Sequence, residues 1–196
     1  VYGDAKISPK TESMRLNPLS PYAASKVAGE GYCAAFNNVF GLEVTIVRPF
    51  NVFGPRQRPD SQYAAVIPKF LTALLEGKPP LVFGDGHQSR DFTFVENIVN
   101  GQLVARDHPD AAGATFNLAC GDAHDLHEII AIANGQLGTG IEPEFAPARP
   151  GDVRDSLADI SAARSCGYEP TVRFEEGLKR TLRYFADSTA RLETSN

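Results

Sequence analysis

Tyr22 and Lys26 stand four residues apart in the stretch Ser20-Pro21-Tyr22-Ala23-Ala24-Ser25-Lys26-Val27-Ala28-Gly29-Glu30. On a helix that spacing puts both side chains on one face. Pro21 suits a first helical turn, and Ser20 before it can cap the exposed amides. The stretch therefore predicts a helix that presents a phenol and an ammonium side by side near its N-terminal end. A phenol in water titrates near ~10, too high for a base at neutral pH. A neighbouring ammonium and the positive end of a helix both favour the phenolate. Such a pair can move a proton to or from a hydroxyl or a carbonyl. The plainer alternative is an aromatic packed inward with a lysine lying along it, and the surrounding residues decide between them.

The elements that must position this pair follow in order. Residues 4–21 are polar and carry Pro9, Pro18 and Pro21, which predicts a loop of functional length. The helix runs from about Tyr22 to Phe40 and stops at Gly41. Its small and apolar residues predict cover on more than one side. Leu42 to Arg48 is a β-branched run of strand length that ends at Pro49. A helix followed closely by a strand is half of a βαβ crossover, so a parallel sheet is expected. Two prolines and a glycine then fix the loop Pro49-Phe50-Asn51-Val52-Phe53-Gly54-Pro55 at the carboxyl end of that strand, the edge where open α/β sheets bind ligands. A plain surface turn is the alternative there. Downstream, a helix is expected over Ala64–Leu75 and a strand over Leu81–Phe83. A second strand over Arg90–Val95 runs into a helix ending near Arg106. A strand over Ala114–Ala119, a helix over Leu126–Leu137, a weak strand over Glu144–Ala146, and helices over Ile160–Ser165 and Glu175–Asp187 complete the reading. A frayed tail is expected from Ser188.

Composition narrows the function classes. The chain has 196 residues, 42% hydrophobic and 22% charged, with a net charge of −5 and no basic cluster. Nothing in that balance points to nucleic acid. Cys33, Cys120 and Cys166 are odd in number and far apart, which fits neither a disulfide framework nor a zinc spacing, and a reducing, cytoplasmic setting is expected. No apolar run approaches the ~18 residues of a membrane span. His87, His108, His124 and His127 lack a metal-binding spacing, so no metal is expected. No Gly-x-Ser-x-Gly elbow supports a serine hydrolase. Val1-Tyr2-Gly3 reads as the end of a β-strand with no initiator Met before it, and no glycine-rich dinucleotide fingerprint occurs. The stretch is thus expected to continue a longer chain.

Taken together, several motifs resemble the extended short-chain dehydrogenase/reductases, specifically the NAD-dependent nucleotide-sugar epimerases and dehydratases. They are Val1-Tyr2-Gly3, Ser20-Pro21-Tyr22-Ala23-x-Ser25-Lys26, Arg48-Pro49-x-Asn51-Val52-x-Gly54-Pro55, Phe83-Gly84-Asp85-Gly86 and Arg90-Asp91-Phe92. Asn117-Leu118-x-x-Gly121, Arg149-Pro150-Gly151-Asp152, Gly167-Tyr168-x-Pro170 and Phe174-x-x-Gly177-Leu178 extend the match over nearly the whole chain. The resemblance implies an α/β fold: the C-terminal part of a Rossmann-like doubly wound parallel sheet over 1–55, then a smaller α/β substrate-binding lobe over 56–187, some of whose elements return to the sheet. A flexible tail occupies 188–196. It implies NAD as cofactor, with Tyr22 as acid/base and Lys26 holding the nicotinamide ribose. Pro49, Phe50, Asn51 and Val52 would lie against the nicotinamide. Asn51 and Val66 would reach the substrate, Phe83 would stack on the nucleotide base, and Arg90 and Arg149 would bind the diphosphate. Converging guanidiniums suit phosphate geometry. Asp152 would accept a hydrogen bond from the nucleotide ribose. Local alternatives stand beside these roles: an Arg90–Asp91 ion pair, and a turn at Asp152.

The implied reaction is epimerisation of a UDP-sugar at C4 through a 4-keto intermediate, in which the cofactor carries the redox chemistry and the protein orients and polarises. The form of Arg149 to Asp159, with Arg56-Gln57 and Tyr63 to Pro68, resembles epimerases of UDP-N-acetylhexosamines. Ser156 stands where a bulkier residue would crowd a 2-acetamido group. A 4,6-dehydratase or decarboxylase of the same family is the alternative, because the residues that discriminate, like the third catalytic Ser or Thr, belong before Val1. A non-catalytic nucleotide-sugar-binding fragment is the alternative of another class. The stretch by itself is expected to bind NAD weakly and to be inactive. The resemblance further implies a homodimer through the Tyr22–Phe40 helix.

Overall fold

The computed structural model describes residues 1–59, 66–149 and 153–193, with side chains as far as Ser188. Helix α1 (Pro21–Phe40) forms as its punctuation dictates. The Ser20 hydroxyl accepts from the Ala23 amide, and Gly41 closes the helix in the left-handed region, donating to the Asn37 carbonyl. Strand β1 (Ile46–Pro49) and β2 (Val52–Phe53) follow, then α2 (Val66–Leu75), β3 (Leu81–Phe83), β4 (Ser89–Arg90), β5 (Thr93–Phe94) and α3 (Val95–Asp107). A short 3₁₀ turn (Pro109–Ala111) leads to β6 (Thr115–Leu118), α4 (Leu126–Leu137), β7 (Glu144–Ala146), β8 (Asp155–Ser156), α5 (Ser161–Ser165) and α6 (Phe174–Glu193).

The four strand pairs among the described residues are parallel: β1 with β6, β2 with β5, β3 with β7 and β4 with β8. The expected α/β class with parallel strands is therefore what forms. Each pair joins strands distant in sequence, so each needs a crossover, and helices supply most of them.

Several local expectations change. The strand read from Leu42 starts only at Ile46, because Gly41 to Thr45 serve as the turn out of α1. The run Arg90–Val95 splits into β4 and β5, pairing with different partners, with Asp91 and Phe92 between them. Strand β8 is a two-residue pair that no periodicity could show. The last helix continues to Glu193, past Ser188, where a tail was expected. Val1–Gly3 carries no strand ladder; instead Tyr2 is buried, and the Asn17 amide donates to the Val1 carbonyl. The helix at Ala64 begins at Val66 among the described residues.

Two apolar clusters hold these elements. One gathers Phe53, Phe92, Phe94 and Phe174 with Ile67, Leu71, Ile129 and Leu178, where α2, α4 and α6 meet. The other gathers Tyr2, Phe50, Ile98, Phe116, Leu118, Ile160 and Tyr168 under β1 and β6. Glycine sets the closest approaches. A Cβ at Gly177 would stand 2.8 Å from the Phe94 ring, and one at Gly101 would stand 2.9 Å from Leu118. Helix α1 departs from expectation, since none of its residues is buried, and Tyr32, Phe36, Val39 and Phe40 are exposed.

The segment between β4 and β5 is fixed by one carboxylate. Asp91 is fully buried and accepts from the amides of Cys120 (2.9 Å), Gly121 (3.0 Å) and Ala158 (3.3 Å). Arg90 and Asp91 are thus not a local ion pair. Burial pushes the Asp91 carboxyl above the usual aspartate range, while the three amides pull it down less strongly. Asp91→Ala would take the shared partner from those amides, one buried and two part-buried, and should cost about 3 kcal/mol in urea unfolding. Since the folded-state pKa is raised, ionising Asp91 costs the folded protein stability. Stability from this group therefore falls as pH climbs from the ordinary value of 3.8 through the raised one. Asp91→Asn should flatten that part of the stability–pH curve, and urea midpoints measured across it check this.

Candidate active site

The tyrosine–lysine pair stands on the first two turns of α1, with the Lys26 ammonium 5.2 Å from the centre of the Tyr22 ring. Tyr22 is 57% exposed, so the inward-packed alternative does not hold and a ligand can reach the phenol. Ser25 donates to the Tyr22 carbonyl. The link to the sheet lies farther along the same helix. Arg48 on β1 grips the Glu30 carboxylate with two donors, at 2.9 and 2.7 Å, and also donates to the Tyr2 hydroxyl at 2.8 Å. Both side chains are well covered, with 10% and 16% of their surface exposed. Tyr2 passes the chain on to Asn117 at 2.6 Å. The bond between mid-helix Glu30 and Arg48, with only a short turn joining the elements, sets α1 antiparallel to β1. The N-terminal turns of α1 and the loop after β1 therefore lie at one edge.

That loop holds Pro49 to Val52. Pro49 ends β1, and Phe50 is buried in the second core rather than turned outward. Asn51 has φ 28°, a positive value that asparagine tolerates better than most residues. Its amide donates to the Asp91 carbonyl at 3.3 Å, and its own carbonyl accepts from Thr93 at 3.2 Å. Val52 pairs with Thr93 in β2.

A cleft of about 220 Å³ opens beside this loop. Five of the residues expected to touch substrate line it: Asn51, Val66, Phe83, Arg90 and Arg149. Phe70, Leu81, Gln88, Phe92 and Leu126 complete the lining, and none of these was expected. Gln88 carried a signal, lying between the Gly84-Asp85-Gly86 turn and Arg90. Its amide donates to the Phe83 carbonyl at 2.7 Å and fixes that turn. The Arg149 guanidinium lies over the Phe83 ring, 3.7 Å from its centre. Arg90 is held otherwise: its guanidinium donates to the carbonyls of Ser89 (2.8 Å) and Arg154 (2.9 Å). Ser156 does not line the cleft but pairs in register with Arg90, one strand away. Tyr22 and Lys26 do not line it either. Asp152 lies outside the described residues.

A larger cleft of about 470 Å³ sits at the other end of β1, between Thr45, Gln102, Arg106 and His108, and contains none of the expected site residues. Burial and the nearby Asp91 push the Cys120 thiol up to about 11, away from the thiolate form. Among the described residues no group of three or more His, Cys, Asp or Glu could hold a metal ion, and no helix is long and apolar enough to cross a membrane.

The model of the NAD dependent epimerase/dehydratase family matches residues 1–119. The chain belongs to that family. It is 39% identical over 190 residues to a UDP-glucose 4-epimerase of Mycolicibacterium smegmatis, a match covering 96% of this chain and 60% of that one. Among solved structures it resembles a UDP-N-acetylglucosamine 4-epimerase from Methanobrevibacter ruminantium in complex with UDP-N-acetylmuramic acid, with a TM-score of 0.91, 39% identity, and coverage of 96% and 60%. A UDP-glucose 4-epimerase from Thermotoga maritima with UDP-glucose matches at a TM-score of 0.91 and 35% identity, with coverage again of 96% and 60%. The Rossmann-type α/β assignment stands on these. The chain spans about 60% of the length of the first relatives it matches.

The donor set fits the nicotinamide end of the family's cofactor. A phenol and an ammonium stand together and exposed on α1, at the edge where the Pro49–Val52 loop leaves β1. The Glu30–Arg48 bond holds that edge together. Arg48→Ala should strand the Glu30 carboxylate and the Tyr2 hydroxyl, costing about 2–3 kcal/mol of unfolding free energy. Arg48→Lys should recover only part, because an ammonium cannot match the two-pronged contact. Urea denaturation of the three proteins measures both.

Proposed function

We propose that this protein is an NAD-dependent epimerase acting at C4 of a UDP-sugar, with UDP-GlcNAc and UDP-GalNAc as the preferred pair. The observation that carries the reading is the gathering of Asn51, Val66, Phe83, Arg90 and Arg149 around one cleft in a chain of this family. Phe83 offers a flat apolar face for a base, and two guanidiniums offer donors for a diphosphate. NAD, when bound, supplies the acceptor and donor of hydride. The residues of this chain do the rest. Tyr22 takes the proton of the C4 hydroxyl and later returns it. Lys26 holds the nicotinamide ribose beside the phenol, and Pro49, Phe50, Asn51 and Val52 border the nicotinamide. Arg90 and Arg149 hold the diphosphate, and Asp152 takes the nucleotide ribose. A sugar held mainly through its nucleotide can turn as a 4-keto species and present its other face.

Residues 1–55 form the cofactor side in this reading, and 56–187 mainly the substrate side. The exposed apolar residues Tyr32, Phe36, Val39 and Phe40 support a homodimer through α1, and sedimentation equilibrium measures it. Three free cysteines support a cytoplasmic setting. Preference for the acetamido sugars rests on the small Ser156 beside Arg90.

Assay of the full-length protein with NAD and either UDP-GlcNAc or UDP-glucose, with products read by NMR, tests the reading. C4 epimers are the expected products. A 4-keto-6-deoxy sugar would replace epimerase by dehydratase, and nucleotide-sugar binding with no turnover would leave only the binding role. Tyr22→Phe should lower kcat by about 10²–10⁴-fold, the usual weight of a positioned acid/base, with KM little changed. Ser156→Tyr should shift the kcat/KM ratio toward UDP-glucose by about ten-fold. Undiminished turnover of acetamido sugars in that variant would remove Ser156 from the specificity argument.

A further inference from the structure

We propose that Arg149 makes base binding and diphosphate binding depend on each other: its guanidinium covers the cleft face of Phe83 and leaves it only for an anion. The proposal rests on reading the cleft as a nucleotide-sugar site, and it concerns how that site rejects ligands lacking phosphate.

Three observations carry it. First, the Arg149 guanidinium lies 3.7 Å from the centre of the Phe83 ring, and both residues line the cleft. One face of a ring in the cleft lining is therefore covered by a guanidinium of the same lining. Second, the backbone that carries Phe83 is held in place. It pairs with Ala146 across β3 and β7, the Gly84 amide donates to the Ala146 carbonyl at 2.9 Å, and Gln88 clamps the Phe83 carbonyl at 2.7 Å. Third, Arg149 is exposed and forms no ion pair among the described residues, whereas Arg90 is tethered to two backbone carbonyls. Of the two arginines, Arg149 is the one able to move.

A guanidinium can lie flat on an aromatic ring or present its fork to phosphate oxygens, but it cannot keep both positions at once. A neutral nucleoside entering the cleft must displace it and gives it nothing in return. A nucleoside diphosphate vacates the ring and receives the charge in one event. Arg149 thereby opposes the base of a ligand without phosphates and favours that of a ligand with them.

Calorimetric titration of the protein with uridine and with UDP, at one fixed ionic strength, tests this. Arg149→Ala should bind UDP roughly ten-fold or more weakly, having lost charge-assisted hydrogen bonds. The same variant should bind uridine roughly two- to five-fold more tightly, because no cation competes for the ring. Arg149→Lys keeps the charge without the flat stack, so it should share the uridine gain with a smaller loss for UDP. Phe83→Leu should erase the gain, so that the Arg149→Ala/Phe83→Leu protein binds uridine no better than Phe83→Leu alone. If UDP binds the unaltered protein but Arg149→Ala leaves uridine affinity unchanged or weaker, the coupling is overturned while the site stands. If the unaltered protein binds no UDP, the functional reading itself falls and takes the coupling with it.

Discussion

The structure depends on a buried carboxylate that faces backbone amides and, among the described residues, no cation. Asp91 joins three places remote in sequence: the end of β6 at Cys120 and Gly121, the segment after β8 at Ala158, and its own position between β4 and β5. Its main chain adds to this, donating to the Ser156 carbonyl at 2.7 Å and accepting from Asn51. Desolvating a carboxylate is costly, and only several charge-assisted donors can offset it. Those donors cannot shift, because each belongs to a fixed turn or strand end. The cost is local, and the gain is a rigid junction beside the cleft. Arg90 precedes it directly, and Asn51, Phe92 and Ser156 all take their positions from it.

Arg48 performs the matching task on the other side. Strand pairing alone would fix β1 against β6 and leave α1 to slide, since no residue of that helix is buried. A two-pronged guanidinium–carboxylate contact resists both sliding and rotation, which an apolar contact does not. It also extends through Tyr2 to Asn117, which in turn donates to the carbonyls of Lys10 and Asp159. The polar chain thus ties α1, the 4–20 loop and the second core into one frame. Along α1, Lys26 stands about one turn and Tyr22 about two turns from that tie.

How much of this the sequence announced follows from the range of each interaction. Ser20, Pro21 and Gly41 act within four residues of themselves, so both ends of α1 were legible. The helices α2 and α4 carry their apolar faces at helical spacing and were legible too. Strands β4 and β8 have two residues each, shorter than any period, and exist only because Asp91 and Arg90 bring the segments together. The contacts of Arg48 span 18 and 46 residues, and no local pattern encodes them. Motif order brought five cleft residues into view by resemblance, not by physics. The rest of the lining came from core-facing apolar positions such as Phe70 and Leu126, whose types say only that they avoid water. Phe50 shows the same ambiguity in reverse: an aromatic in a ligand-edge loop that packs into the core.

On the proposed reading of the cleft as a nucleotide site, its two arginines show why rigidity on its own would serve poorly. Arg90 is preorganised by carbonyls on neighbouring strands, so its donors are already aimed and little entropy remains to be lost on binding. Arg149 has no such frame among the described residues and rests on an aromatic ring. A fixed donor supplies affinity for any anion of suitable size. A movable donor whose resting place is the base-binding surface adds a condition, because a ligand must bring both parts to be held well. Such an arrangement secures the nucleotide while placing no demand on the sugar. The proposed epimerisation, which lets the sugar turn between two faces, would need that division.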